Sequence, residues 1–153
     1  MAAEIFAKLG DIQGESTDAQ HKGEIEVLSF SWGVAHPTAP GGAVTGKAAF
    51  HDLSFTHKID KASPKIMEAC TLNRRLPEAT ITHRKSGGPQ AEYLILKLTG
   101  ALVTSVSMSD TSGGGTENVT LTFAKVDFAY KPQRPDGSLD TAVTFQFDTT
   151  THA

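Results

Sequence analysis

Residues Ala91–Tyr130 read AEYLILKLTGALVTSVSMSDTSGGGTENVTLTFAKVDFAY, two long alternating runs joined by a glycine-rich loop. Leu94, Leu96 and Leu98 share one face, with Tyr93, Lys97 and Thr99 on the other. Past Gly100 the alternation resumes, with Leu102, Val106 and Met108 on one face and Val103, Ser105 and Ser107 opposite. After the loop, Val119, Leu121 and Phe123 stand against Thr120 and Thr122. A period of two kept this long specifies half-buried antiparallel strands. The apolar phase then moves to Val126, Phe128 and Tyr130. A slip of one residue exchanges the faces of a strand. The shift therefore predicts either a bulge near Ala124–Lys125 or a strand that passes from one sheet to another.

The flanking chain continues the pattern. Glu4–Leu9 alternates Ile5, Ala7 and Leu9 against Phe6 and Lys8, and Ile25–Gly33 is aromatic and β-branched. Both favour strands. Between them Gly10–Gly23 is polar and turn-rich, a loop by composition. Val34–Lys47 (VAHPTAPGGAVTGK) has two prolines, three glycines and no period, which predicts a long loop of the functional or mobile kind. Ala48–His57, Glu78–Lys85 and Ala142–Phe147 supply further strands, with turns at Ser86–Gln90 and Lys131–Gly137 and a frayed TTTHA terminus. The one helix expected is Pro64–Leu72, with Ser63 as its cap and Pro64 where a missing N–H costs nothing. Ile66, Ala69 and Cys70 form its inward face. It is too short to persist alone, so it must dock on a sheet or plug a barrel end. The reading is a mainly β chain: an antiparallel β-barrel of two sheets, about eight strands, with one short α-helix, closure being the surest remedy for exposed edges.

The totals narrow the function. A chain of 153 residues suits a single domain spanning 1–153, and 39% apolar residues plus 14 glycines is ordinary globular composition. A net charge of −3, with no Lys/Arg run longer than two, leaves no footprint for nucleic acid. No apolar run is long enough to span a bilayer. MAAEIFAKLG lacks the features of a signal peptide, and one cysteine, Cys70, suits synthesis in a reducing cytoplasm.

Candidate chemistry is thin. His51 and His57 share a strand and His83 lies on another, without HxH or HExxH spacing, so solvent-facing histidines are expected rather than a metal site. Cys70 on an inward helix face is a small buried hydrophobe, not an activated thiol. SGGP (Ser86–Pro89) and SGGG (Ser112–Gly115) lie between strands and read as hairpin turns rather than phosphate cradles. No G-x-S-x-G elbow is present, and Glu24/Glu26 alternate on an exposed strand face. The expectation is no enzyme, no cofactor and no metal.

Several segments resemble, in order, the hemolysin-coregulated protein (Hcp) family of the type VI secretion system. They are GDIQGES (Gly10–Ser16), LSFSWG (Leu28–Gly33), HDLSFTHKIDKASPKIMEAC (His51–Cys70), ATITHRKSGGPQAEYLILKLTGALVTSVS (Ala79–Ser107) and TENVTLTFAKVDFAYKPQRPDG (Thr116–Gly137). Val34–Lys47 and the terminal TAVTFQFDTTTHA follow the family less closely. The resemblance implies a structural subunit of the secretion tube, forming homohexameric rings that stack into a tube driven out by a contractile sheath. It also implies a VgrG-type spike protein at the tip and effector proteins in the lumen. Assembly would take place in the bacterial cytoplasm, with export to the extracellular space or a target cell and no signal peptide. On that view Val34–Lys47 makes the ring-to-ring contact, with Val34, His36, Val44 and Lys47 reaching across. The alternative is a soluble β-barrel module for a carbohydrate or small ligand, which needs an aromatic platform or a cavity.

Overall fold

The computed structural model describes residues 4–43, 46–85 and 91–151. Its strands are β1 (Ile5–Leu9), β2 (Ile25–Ser31), β3 (Val34–Ala35), β4 (Ala49–Phe50), β5 (Leu53–Lys58), β6 (Arg75–Arg84), β7 (Glu92–Thr111), β8 (Gly114–Thr122), β9 (Lys125–Tyr130) and β10 (Val143–Asp148). The one helix among the described residues, α1, spans Ser63–Thr71. The strands form two sheets, one of eight strands in the order β10-β9-β7-β6-β1-β2-β5-β8 and a two-stranded ribbon, β3-β4. A further β7–β8 pairing closes β7-β6-β1-β2-β5-β8 into an antiparallel barrel, leaving β9 and β10 as an extension beside the first half of β7.

The quoted stretch explains the closure. β7 is one 20-residue strand, bent at Gly100, which sits at φ 65°. A Cβ there would lie 3.2 Å from the Ala124 Cβ. β8 and β9 run along β7 in one register, Leu102↔Thr122 before the break and Thr99↔Lys125 after it. The expected change of face at Ala124–Lys125 is therefore real, and it coincides with a matching change in β7. Leu96 and Leu98 are buried before Gly100, and Ala101 and Val103 after it. The buried phase therefore changes at Gly100. Leu102 and Val106 are only half buried and Met108 is exposed, because the kink at Gly100 swaps the faces. The register slip between Val103 and Ser105 shifts them again.

Inside, Ala7, Leu9, Ile25, Val27, Leu53, Phe55, Ile81, Leu96, Leu98, Val119 and Leu121 fill the barrel, and Ile66 and Ala69 of α1 join the same cluster. Cys70 is half buried beside it. Ser63 does not cap the helix. Ala62 holds the N-cap position, and the Ser63 hydroxyl instead accepts from the Asp60 N–H at 3.1 Å while the Asp60 carboxylate accepts from the Ala62 N–H at 2.9 Å. At the other end Asn73 takes φ 51°, and the Asn73 and Arg74 N–H groups bond back to Cys70 and Ala69. That is a Schellman closure with asparagine in place of glycine.

One loop differs from its sequence reading. Val34–Lys47 begins as a strand: β3 pairs with β4, so the segment is an arm built on a ribbon. The expected strand Ala48–His57 is correspondingly split into β4 and β5. The turn at Ser86–Gln90 lies outside the described residues, as do His152 and Ala153. Ser112–Gly113 makes the tight β7–β8 turn, and Asp136–Gly137 turns the chain with Gly137 at φ 92°.

Candidate assembly surface

The arm leaves the barrel from an aromatic root. Trp32 stacks on Phe50 at 5.9 Å and meets Phe123 and Phe128 edge-on at 6.3 and 6.1 Å. Phe50 also contacts Phe123, Phe145 and Phe147 at 5.8, 6.3 and 5.2 Å. Such pairs add about 0.5–1.5 kcal/mol each beyond area burial, so the root is fixed rather than hinged. The His51 N–H closes it by donating to the Gly33 carbonyl at 2.8 Å. At the tip Gly41 and Gly42 both take φ 90°, which suits a turn only glycine makes cheaply.

Of the four residues expected to reach outward, Val34 is exposed on β3, while His36 and Lys47 are exposed beyond it. His36 Nδ1 lies 3.3 Å from the neighbouring Pro37 carbonyl. Val44 lies outside the described residues. The arm thus presents three of the named side chains to solvent.

A second apolar surface escaped the sequence reading. Val143, Phe145 and Tyr130 on β10 and β9 are 66, 42 and 40% exposed, next to the arm root through Phe50. Alternation marked Ala142–Phe147 as a strand, but no local signal says that the barrel closes without it.

The polar clusters tie distant segments of the chain together. His57 and Glu117 are cross-strand neighbours on β5 and β8, both fully buried, with His57 Nε2 2.8 Å from a Glu117 carboxylate oxygen and Nδ1 3.8 Å from an Asp60 carboxylate oxygen. Burial pushes the Asp60 carboxyl up. On the outside of β1, His21 stacks on Phe6 at 4.4 Å and bridges Glu24 and Glu92 at 3.1 and 2.6 Å. The Arg84 guanidinium lies 4.9 Å from the centre of the same Phe6 ring and grips Asp18 through two bonds of 2.9 and 2.5 Å. The Arg84 hydrogen bond holds the Asp18 carboxyl at about 2. These contacts pin the Gly10–Gly23 loop to the barrel wall. Two of the chain's histidines are therefore buried and paired, unlike the solvent-facing histidines expected. His83 is half buried under Tyr93, whose hydroxyl is 2.9 Å from Nδ1, and burial pushes its imidazole down. No cluster of three or more His, Cys, Asp or Glu among the described residues is arranged to hold a metal. A surface cleft of about 380 Å³ is lined by Asp11, Lys61, Lys65, Glu68 and Arg74 and carries no aromatic platform.

Comparison with known proteins places this geometry. The family model described as "Type VI secretion system effector, Hcp" matches residues 6–130. The chain is 47% identical over 146 residues to protein Hcp1 of Pseudomonas aeruginosa, covering 92% of this chain and 90% of that one. A solved structure described as a type six secretion system protein superposes with a TM-score of 0.93 at 29% identity, over 99% of both chains. The crystal structure of Hcp1 from Salmonella typhimurium superposes with a TM-score of 0.81 at 33% identity, over 100% of this chain and 99% of the other.

Proposed function

We propose, for a chain that belongs to the Hcp family of secreted type VI secretion proteins, that it is a structural, non-enzymatic subunit of the inner tube. In this reading residues 1–153 form one domain, six copies close into a ring, and rings stack into a tube assembled in the cytoplasm. The contractile sheath then drives the tube out, with a VgrG-type spike at its tip and effectors in its lumen. The arm makes the ring-to-ring contact through Val34, His36, Val44 and Lys47.

The observation that carries the reading is the arm itself. Six strands suffice to close the barrel, yet a rigidly rooted ribbon projects from it with Val34, His36 and Lys47 in solvent. A contact between two different patches on copies of one chain propagates, and it closes into a ring or runs on as a stack. Deleting Pro37–Ala43 should leave rings of about six copies in size-exclusion chromatography with light scattering, and abolish tubes in negative-stain images. Undiminished tubes would refute the arm's role, and a monomer at every concentration would refute the tube subunit altogether.

A further inference from the structure

β10 is an edge that protein folds do not normally leave bare. It pairs with β9 over six uninterrupted rungs, from Val143↔Tyr130 to Asp148↔Lys125, and among the described residues no strand meets its outer side. Sheet edges are usually protected by proline, lysine, a bulge or a covering segment. VTFQFD contains neither proline nor lysine, the β9–β10 register carries no bulge, and Val143 and Phe145 stand exposed along it. An edge of this kind takes an added strand: main-chain hydrogen bonds supply affinity and alternate side chains supply specificity.

The chain carries its own complement. The arm ribbon β3–β4 is the second sheet with unpaired edges. From Val34 to Phe50 its titratable groups are His36 and Lys47, with no Asp or Glu. From Pro135 to Thr151 the charged groups are Asp136, Asp140 and Asp148, with no Lys or Arg. Hydrogen bonds from Ser138 and Thr150 hold the Asp136 and Asp148 carboxyls below their ordinary range, so both are ionised at neutral pH. Arg134 already binds Asp140 at 3.2 Å, whereas Lys125 approaches Asp148 only to 3.8 Å.

We infer that the arm of one copy lies along the outer edge of β10 in a second copy, with Val34 against Val143 and Phe145 and Lys47 toward the acidic C-terminal segment. This rests on the self-assembly proposed above and names the surface that receives the arm. Arm and edge are different patches, so the contact is head-to-tail.

Cysteine trapping tests it. In a Cys70→Ser background, Ala35→Cys and Thr144→Cys chains, made separately and mixed, are oxidised mildly and resolved on a non-reducing gel. Both positions are exposed, so neither change disturbs the core. A disulfide needs Cα atoms within about 7 Å, so the mixed dimer should exceed either homodimer by about tenfold. Val143→Glu in the Thr144→Cys chain should remove that excess, with its thermal melt unchanged as the folding control, since Val143 is 66% exposed. Rings or tubes that persist while the mixed dimer stays at or below the homodimers would overturn the arm–edge pairing and leave the tube reading standing. Protein that never assembles would overturn both.

Discussion

The buried pair of His57 and Glu117 gives the sharpest test of what holds the barrel shut. The two face each other across the β5–β8 seam, each 0% exposed in its side chain and 2.8 Å apart. Truncating one partner of a buried ionic pair leaves the other desolvated and uncompensated, at a cost of about 3–5 kcal/mol. Replacing both with apolar side chains of similar size is often neutral. His57→Leu and Glu117→Leu should therefore each lower stability by about 3–5 kcal/mol, and the double variant by no more than about 1–2 kcal/mol. For a chain of this size that is about 6–20 °C in Tm for each single change. The assay is urea unfolding followed by circular dichroism, in the arm-deleted background to exclude tubes and at one fixed protein concentration so that ring formation adds the same stabilisation to every variant. The double-mutant cycle isolates the pair. A double variant whose loss equals the sum of the singles would show that the two groups do not hold each other, and the latch would be no latch.

The remaining predictions concern the loop, the kink and the arm root. Asp18 has a folded value of about 2 against an ordinary 3.8, because Arg84 donates to it. Its contribution is complete above the ordinary value and is lost as pH falls through about 2. Asp18→Asn should flatten the pH dependence of stability between about 4 and 2 in acid unfolding curves; an unchanged curve would separate Asp18 from Arg84. Gly100→Val places a β-branched side chain at φ 65° with its Cβ 3.2 Å from Ala124 and 3.3 Å from Arg75 Nη1. The left-handed backbone alone costs about 1–2 kcal/mol, so Tm in differential scanning calorimetry should fall by at least about 2–8 °C. Phe50→Ala removes the ring at the centre of the arm root and, being half buried, should cost about 1–3 kcal/mol in urea unfolding. It should leave rings intact and shorten tubes in electron micrographs, and tubes of normal length would mean that the root need not be rigid.

Strand and helix placement was legible because it rests on local periodicity. The alternation Leu94–Leu96–Leu98 and Val119–Leu121–Phe123, the switch at Ala124, and Pro64 opening a helix are all read within a few residues. What stayed hidden depends on partners far away in sequence. Asp18 meets Arg84 and His21 meets Glu92 across a separation of roughly seventy residues, so a polar loop looked merely solvated when it is pinned over Phe6. His57 sits on a strand whose alternation gives its face but not the carboxylate opposite, which β8 supplies only once the barrel is closed. Val34, His36 and Lys47 were picked out because Pro, Gly and small residues flank them; the strand pairing at the arm's base gave no such sign, because two residues are too few to show a period.

Folding and assembly draw on separate parts of this chain. The buried apolar residues come from β1, β2, β5, α1, β6, β7, β8 and β9 and the turns between them, and none from β3, β4 or β10. Closing the barrel satisfies backbone groups on six strands and sequesters the core, so the arm and the last strand are free to vary without unfolding the rest. β10 is held by its six rungs to β9, and the aromatic cluster around Phe50 ties the arm root to it and to the barrel. That division has a measurable consequence. Substitutions at Val34, Lys47 and Val143 should change stability by less than about 0.5 kcal/mol, as surface positions do, while changing the assembled fraction. Core changes such as Leu98→Ala should cost about 2–5 kcal/mol and leave the assembly of the surviving folded fraction unaltered. If the surface changes unfolded the protein as readily as the core ones, arm and edge would belong to the fold, and the separation argued here would fail.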